Sequence, residues 1–251
     1  MPLESFFAAH PRVAVAFSGG VDSAYLLYAA KTAGCDAAAY FLKTPFQPRF
    51  ELEDAQKLAG QFGVPLHIVE YDVLGVPGVA ENGPLRCYHC KRALFTRLWE
   101  AARADGFEVL CDGTNASDDG SDRPGMKVLE EQHILSPLRI CGLTKSDVRR
   151  LSKEAGLFTW DKPAYACLAT RIPAGEKITA EKLKAIEESE AVLFAMGFSD
   201  FRVRLRDGGA LLQFTEEQQR RAQEMLGEIT TELLKHFETI KIDLKAREKS
   251  K

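Results

Sequence analysis

Nothing in the 251 residues approaches the roughly 18 uninterrupted apolar residues that would signal a membrane span. The opening stretch, MPLESFFAAHPR, has no basic region followed by an apolar core, so it is not read as a secretory signal, and a cytoplasmic protein is expected. Six cysteines are too few in a chain this long for a disulfide scaffold, and in a reducing compartment they stand as thiols or metal ligands. A formal net charge of -3 gives no whole-chain signature of nucleic-acid binding, so nucleic acid is not an expected partner. Internal repeats and low-complexity segments are missing as well.

What is present reads as alternating strand and helix. Strands are expected over 12–17, 36–42, 65–71, 107–113 and 131–138. Helices are expected from Asp22 to Lys31, over 52–62 and 88–104, and after the N-cap Thr144 with Asp147 three residues on. Such alternation predicts an α/β fold with a Rossmann-like parallel sheet covered on both faces, whose ligands sit at the carboxyl ends of the strands. The pattern changes near KPAYACLATRIPAG (162–175). A helix over 179–196, strands 201–205 and 210–214, a helix over 216–237 opening on a Thr215–Gln218 capping box, and strand 239–244 predict a smaller α+β unit. The expected division is a domain over 1–170, a C-terminal domain over 171–245 for substrate binding or oligomerisation, and a solvated mobile tail over 246–251.

Ser18-Gly19-Gly20-x-Asp22-Ser23 falls between the first strand and first helix. Two glycines let the backbone turn and aim N–H groups at an anion, the helix start adds its positive end, and the two hydroxyls can donate to phosphate. The Walker ending Gly-Lys-Ser/Thr is absent. The plainer reading is a β–α turn with Asp22 capping the helix. Gly113, Thr114 and Asn115 lie at the expected ligand edge, as does Lys91. Asp118 is a metal ligand, a group that orients a basic side chain, or a solvated loop acid.

Cys35, Cys111 and Cys141 border apolar segments and read as structural thiols, which leaves Cys87, Cys90 and Cys167. The Cys87-x-x-Cys90 pair is open to four readings: a redox pair, half of a zinc site, cluster ligands, or inert neighbours. Zinc would want a fourth ligand, and no second CxxC or CxxH is obvious. Glu190 falls on the apolar stripe of helix 179–196, so it is expected to bind a divalent ion or to form an interdomain salt bridge with an arginine. Arg202, Arg204 and Arg206 alternate with apolar residues and share one strand face, solvated in the plain reading.

SGGxDS resembles the PP-loop of the adenine nucleotide alpha-hydrolase superfamily. CDGTNASDDGSDRPGM (111–126), SPLRICGLTKSDVRRLSKEAGL (136–157), WDKPAYACLATRIPAG (160–175) and FRVRLRDGGALLQF (201–214) resemble, in order, the LarE family of ATP-dependent sulfur transferases, over nearly the whole chain. The resemblance implies a PP-loop ATP pyrophosphatase domain using ATP and Mg²⁺, with Ser18, Gly19, Gly20, Asp22 and Ser23 holding pyrophosphate. It implies adenylylation of a carboxylate of pyridinium-3,5-biscarboxylic acid mononucleotide and its conversion to a thiocarboxylate, for the nickel-pincer nucleotide cofactor. Arg171, Arg202 and Arg204 would contact that small-molecule substrate, and Glu190 matches a metal-binding glutamate. Family members take sulfur either from a sacrificed cysteine at the Cys167 position or through a [4Fe-4S] cluster on three cysteines. Cys87, Cys90 and Cys167 match the three-cysteine form, with sulfide or another sulfur donor as partner. A homo-oligomer is expected. The rival from the same superfamily is a cluster-bearing tRNA thiolase, and the rival from another class is a nucleotide-binding module without catalysis.

Overall fold

The computed structural model describes residues 2–118 and 124–249. Residues 119–123 of the CDGTNASDDGSDRPGM stretch, and the last two residues of the expected tail, lie outside the described residues. By contacts the chain divides into two units, one of residues 1–76 and 87–162, the other of residues 77–86 and 163–251. The division therefore falls at Lys162/Pro163 rather than at 170, and the second unit also takes a short piece from the middle of the first.

The first unit runs α1 (Leu3–Ala9), β1 (Arg12–Ala16), α2 (Val21–Thr32), β2 (Asp36–Lys43), α3 (Arg49–Phe62), β3 (Leu66–Glu70), α4 (Arg86–Ala104), β4 (Leu110–Cys111), α5 (Pro124–Glu131), α6 (Pro137–Ile140) and α7 (Lys145–Glu154). Its four parallel strands lie in the order β3-β2-β1-β4, so the expected Rossmann-like sheet is borne out. Strand periodicity explains the two covered faces. Val13, Val15, Ala37, Ala39 and Phe41 pack with α1, α2, α3 and α7 on one side. Ala14, Ala38 and Tyr40 pack with Phe95, Leu98 and Trp99 of α4 and Val128 of α5 on the other. The chain leaves β1 toward β2 and returns to β4 on its other edge, which opens a crevice at the carboxyl end of β1.

Two expected strands shrink. Segment 107–113 keeps Leu110–Cys111, because Asp112 turns to accept hydrogen bonds from Ser136 and Thr114. Segment 131–138 keeps a single bridge from Leu135 to Cys111, between His133 in the left-handed region (φ 55) and Pro137 at the start of α6. The capping box at Thr144 and Asp147 forms as expected.

The second unit contains a 3₁₀ turn (Leu168–Arg171), α8 (Ala180–Ala195), β5 (Arg202–Arg206), β6 (Gly209–Gln213), α9 (Glu216–Glu224), α10 (Leu226–Leu233) and β7 (Ile240–Ile242). Strands β5 and β6 are antiparallel, and β6 and β7 parallel. The helix expected over 216–237 is broken at Met225, whose backbone leaves the helical region (φ -95, ψ 10). The Thr215 capping box does not form. Gln218 spends its side chain on Ser199, accepting from its N–H and donating to its carbonyl, and on the Thr215 hydroxyl, to which Nε2 donates at 3.1 Å. Within the expected tail, Arg247 donates to the carboxylate and carbonyl of Asp200 and bridges Thr215, so residues 246–249 include a fixed point. Among the described residues no helix is long and apolar enough to cross a membrane.

Candidate functional site

The loop from Phe17 to Gly20 joins β1 to α2. Gly19 has φ +73, and a Cβ there would stand 2.9 Å from Glu51 O and 3.1 Å from Ala55 N of α3, so glycine is required twice over. Gly20 is the N-cap of α2 and, among the described residues, no side chain caps that helix. Its first N–H groups and positive dipole end are left for an anion. Ser23 Oγ lies 3.1 Å from Ser18 Oγ, accepts from Ser18 N–H at 3.3 Å and donates to Gly20 O at 3.3 Å. Ser18 Oγ accepts from Gly20 N–H at 3.3 Å. These hydroxyl bonds are long, so the loop is preshaped yet loosely paired, and an anion can replace them.

Asp22 does not cap α2. Its Oδ1 accepts from Asn115 Nδ2 at 3.2 Å and its Oδ2 from Lys145 Nζ at 2.5 Å. Asn115 is fixed in turn: its Oδ1 accepts from Ser117 N–H at 2.8 Å, and its own N–H donates to Asp118 Oδ2 at 2.9 Å. Gly113 passes so close to the start of α2 that a Cβ would meet Ser23 N at 2.9 Å. Asp112, buried beside it, accepts from Ser136 Oγ at 2.6 Å and from Thr114 Oγ1 at 2.5 Å. Burial raises its pKa, opposed by those hydrogen bonds and by the Lys91 charge.

A cavity of about 410 Å³ opens over this loop. Its lining combines polar residues, among them Ser18, Asp22, Ser23 and Thr114, with apolar ones such as Phe17 and Leu94. That combination suits a nucleotide, which has both phosphates and a flat base to accommodate. Lys91 lines it too. In a helix, residues at i, i+4, i+7 and i+11 share a face, so Cys87 lies on the stripe of α4 that continues through Lys91, Leu94 and Leu98. Cys87 is exposed and Cys90 half-buried. Gly19 and Asn115 are not among the residues that line it.

In the second unit, Cys167 immediately precedes the 3₁₀ turn. Four guanidinium groups grip the carbonyls around it. Arg202 donates to Ala164 O (2.7 Å), Arg171 to Ala166 O (3.1 Å), Arg86 to Ala169 O (3.1 Å) and Arg204 to Thr170 O (2.8 Å). Glu190 takes the salt bridge to an arginine that was one of its two readings, and the partner, Arg171, belongs to the same unit. Its Oε1 accepts from Arg171 Nε at 2.7 Å and from Val203 N–H at 3.0 Å, while Oε2 accepts from Arg171 Nη2 and from the Tyr165 hydroxyl. Both oxygens are thus engaged by protein donors, which leaves little of the carboxylate for a divalent ion. Nor is the arginine strand a uniformly solvated face: Arg202 is buried, Arg204 half-buried and Arg206 exposed. Burial, then the Arg171 and Arg247 charges, push Arg202 down to about 10, and Arg204 is lowered for the same kinds of reason. Cations pressed together this way are relieved by an anion.

Among the described residues no group of three or more His, Cys, Asp or Glu side chains is gathered as a metal site. Cys87 and Cys90 belong to the first unit and Cys167 to the second. Cys35 and Cys111 are buried, and burial pushes both thiols up, in keeping with structural roles. Sequence reading missed Lys145, Asp112 and Arg86. For Lys145 a signal existed: a lysine in the first turn of α7 opposes the helix dipole.

Sheet order, loop and cavity together define a PP-loop nucleotide-binding domain of the Rossmann-like HUP type. A family model described as the tRNA methyl transferase HUP domain matches residues 11–74. The chain is 31% identical to the pyridinium-3,5-bisthiocarboxylic acid mononucleotide synthase of Lactiplantibacillus plantarum, over 82% of this chain and 75% of that one, and it belongs to that enzyme's family, LarE. It is also 36% identical to an uncharacterized protein of Synechocystis sp., over 86% of this chain and 81% of the relative. A tRNA-specific 2-thiouridylase, MnmA, of Thermotoga sp. is 27% identical over 82% of this chain and 71% of its own.

Proposed function

We propose that the protein is an ATP-dependent sulfur transferase that converts a carboxylate of pyridinium-3,5-biscarboxylic acid mononucleotide into a thiocarboxylate. A carboxylate resists attack until one of its oxygens becomes a good leaving group. Here a substrate carboxylate oxygen attacks the α-phosphorus of ATP, the α–β bond breaks, and pyrophosphate leaves into the loop formed by Ser18, Gly19, Gly20 and Ser23. Asp118, which lines this cavity, would hold Mg²⁺, and the ion would supply charge to offset the phosphates. A sulfur nucleophile then attacks the acyl carbon, AMP departs with the former carboxylate oxygen, and the sulfur stays on the product. Arg202 and Arg204 are assigned to the mononucleotide phosphate, because guanidinium groups match phosphate in geometry and sign.

The observation that supports this reading best is the shared face of α4, where Cys87 continues the stripe of Lys91, Leu94 and Leu98 that lines the nucleotide cavity. An ATP-binding module without catalysis has no use for a thiol there. Cys87 and Cys90, one helical turn apart and accessible, suit a pair of cluster thiolates. With Cys167 they are the residues that would hold a [4Fe-4S] cluster, which when bound leaves one iron open to carry sulfide.

The second source of sulfur is Cys167 itself, favoured by the four-arginine grip that fixes its loop independently of the other two thiols. Its thiolate would displace AMP to give a thioester. Loss of its Cα proton and cleavage of its Cβ–S bond would then release the thiocarboxylate and leave dehydroalanine.

The test is anaerobic reaction with ATP and the pyridinium mononucleotide, followed by mass spectrometry of product and protein, with iron and sulfide assays on wild type, Cys87→Ala, Cys90→Ala and Cys167→Ala. Thiocarboxylate formed over many turnovers, with iron lost in all three variants, is the expected result. One turnover with dehydroalanine at position 167 selects the sacrificial route. Turnover with tRNA and none with the mononucleotide contradicts the proposal.

A further inference from the structure

The small sheet of the second unit sets three polar side chains in a row: Arg204 on β5, Gln213 on β6 and Asp243 just past the end of β7. Arg204 Nε donates to Gln213 Oε1 at 2.6 Å, and Gln213 Nε2 donates to Asp243 Oδ2 at 2.8 Å. The chemistry at both ends permits only this orientation of the amide. A guanidinium has donors alone and takes the amide oxygen, while an ionised carboxylate has acceptors alone and takes the amide nitrogen. Asp243 is fixed in turn. Its Oδ1 accepts from Lys245 N–H at 3.1 Å, and Gln219 of α9 donates to the carbonyls of Asp243 (3.1 Å) and Leu244 (3.2 Å). The bonds from Gln213 and Lys245 hold the Asp243 carboxyl below its ordinary range, so it is ionised at neutral pH.

The row ends on a guanidinium that is anchored without being neutralised. Arg204 Nη1 donates to Thr170 O at 2.8 Å, so Nε and Nη1 both rest on uncharged oxygens. Among the described residues Nη2 has no hydrogen-bond partner, and no carboxylate forms an ion pair with Arg204. Burial, then the Arg171, Arg206 and Arg247 charges, lower its pKa, and Glu190 opposes them less. An acid bonded straight to Arg204 would hold the side chain equally well but would offset its charge. An amide between the two transmits the orientation and keeps the opposite charges one side chain apart.

We infer that Asp243 is a positioning residue for Arg204, acting through Gln213. The carboxylate sets the amide, the amide oxygen sets the guanidinium, and Nη2 is left to donate to an oxygen of the mononucleotide phosphate. Gln213 supplies the link because its amide accepts at one end and donates at the other without adding charge. The inference rests on the assignment of Arg204 to that phosphate. A role confined to holding β7 on the sheet would act on binding whether or not Arg204 is present, and this separates the two.

Calorimetry on the full chain, with pyridinium-3,5-biscarboxylic acid mononucleotide and ATP as separate probes, tests it. Asp243→Ala and Gln213→Met are each expected to weaken mononucleotide binding by about fivefold or more, with ATP affinity within about twofold of wild type. Asp243→Asn keeps an oxygen that can accept from Gln213 and is expected to recover most of the loss. In an Arg204→Met background, Asp243→Ala is expected to add less than about a twofold change, the non-additivity of residues that act through one another. Wild-type mononucleotide affinity in Asp243→Ala and Gln213→Met, or a full further loss in the Arg204→Met background, overturns the inference and leaves the Arg204 assignment in place. Wild-type affinity in Arg204→Met, or no mononucleotide binding by wild type, overturns the inference together with the reading on which it rests.

Discussion

Arg171 and Glu190 meet in a nearly dry pocket, Nε to Oε1 at 2.7 Å and Nη2 to Oε2 at 3.3 Å, with side-chain exposures of 1% and 2%. Such a pair is costly to bury and more costly to break, because the surviving charge has no water to turn to. The glutamate also holds Tyr165 and the N–H of Val203 on β5, so α8, the Cys167 segment and the small sheet meet at one carboxylate.

Glu190→Ala is therefore expected to destabilise the second unit by roughly 3–5 kcal/mol, the range for one partner removed from a buried pair. Chemical denaturation followed by hydrogen exchange of the peptides from residues 163–249 checks it. A midpoint unchanged from wild type would show that the pair does not hold this unit.

Asp112 gives a pH dependence of known sign. Its folded pKa is raised by burial, so the folded chain binds that proton more tightly than the unfolded chain does. The contribution favours folding below the unfolded value of about 3.9 and is lost as pH rises through the folded value. Asp112→Asn removes the charge and can keep the bonds to Ser136 and Thr114. Its denaturation midpoint is expected above wild type at neutral pH, with the gap closing as pH falls through the acid range. A gap of constant size across pH would contradict this.

Gly113→Ala places a methyl 2.9 Å from Ser23 N and 3.2 Å from Asp22 C, both backbone atoms that cannot step aside. A loss of roughly 1–3 kcal/mol is expected, together with weakened ATP binding, since the displaced strand end and helix start both line the cavity. Thermal melts with and without ATP measure both effects. Full ATP-dependent stabilisation in the variant would be the contrary result.

Arg204→Met is expected to raise KM for the mononucleotide by about 10- to 100-fold with little change in KM for ATP, the magnitude of one charged hydrogen bond. Steady-state kinetics with each substrate varied in turn separates the two. Equal increases in both constants would place Arg204 in a general structural role.

Much of the first unit was legible because each strand of its sheet feeds both faces, so Val13 and Val15 and, between them, Ala14 read as a buried run followed by a glycine turn. The capping box of Thr144 and Asp147 was legible for the same local reason. The short β4 was not. Its apolar neighbours suggested seven residues, while Asp112, Ser136 and Thr114 settled the matter through side-chain bonds that no periodicity encodes. The break at Met225 escaped notice because α9 and α10 are each helical by composition. In the site, Ser18, Gly20, Asp22, Ser23, Lys91, Gly113, Thr114 and Asp118 were found from the sequence and line one cavity. Arg86 was not, since it acts on the distant Ala169 carbonyl; Lys145 carried the local signal of a lysine at a helix start, which does not name its distant partner Asp22.

The most direct measurement follows one oxygen atom. With the mononucleotide labelled by ¹⁸O in its carboxylates, adenylylation followed by sulfur attack must carry one labelled oxygen into AMP. The account predicts labelled AMP in an amount equal to the thiocarboxylate formed, with unlabelled pyrophosphate. Thiocarboxylate formed alongside unlabelled AMP, or label released as phosphate with ADP, would contradict it.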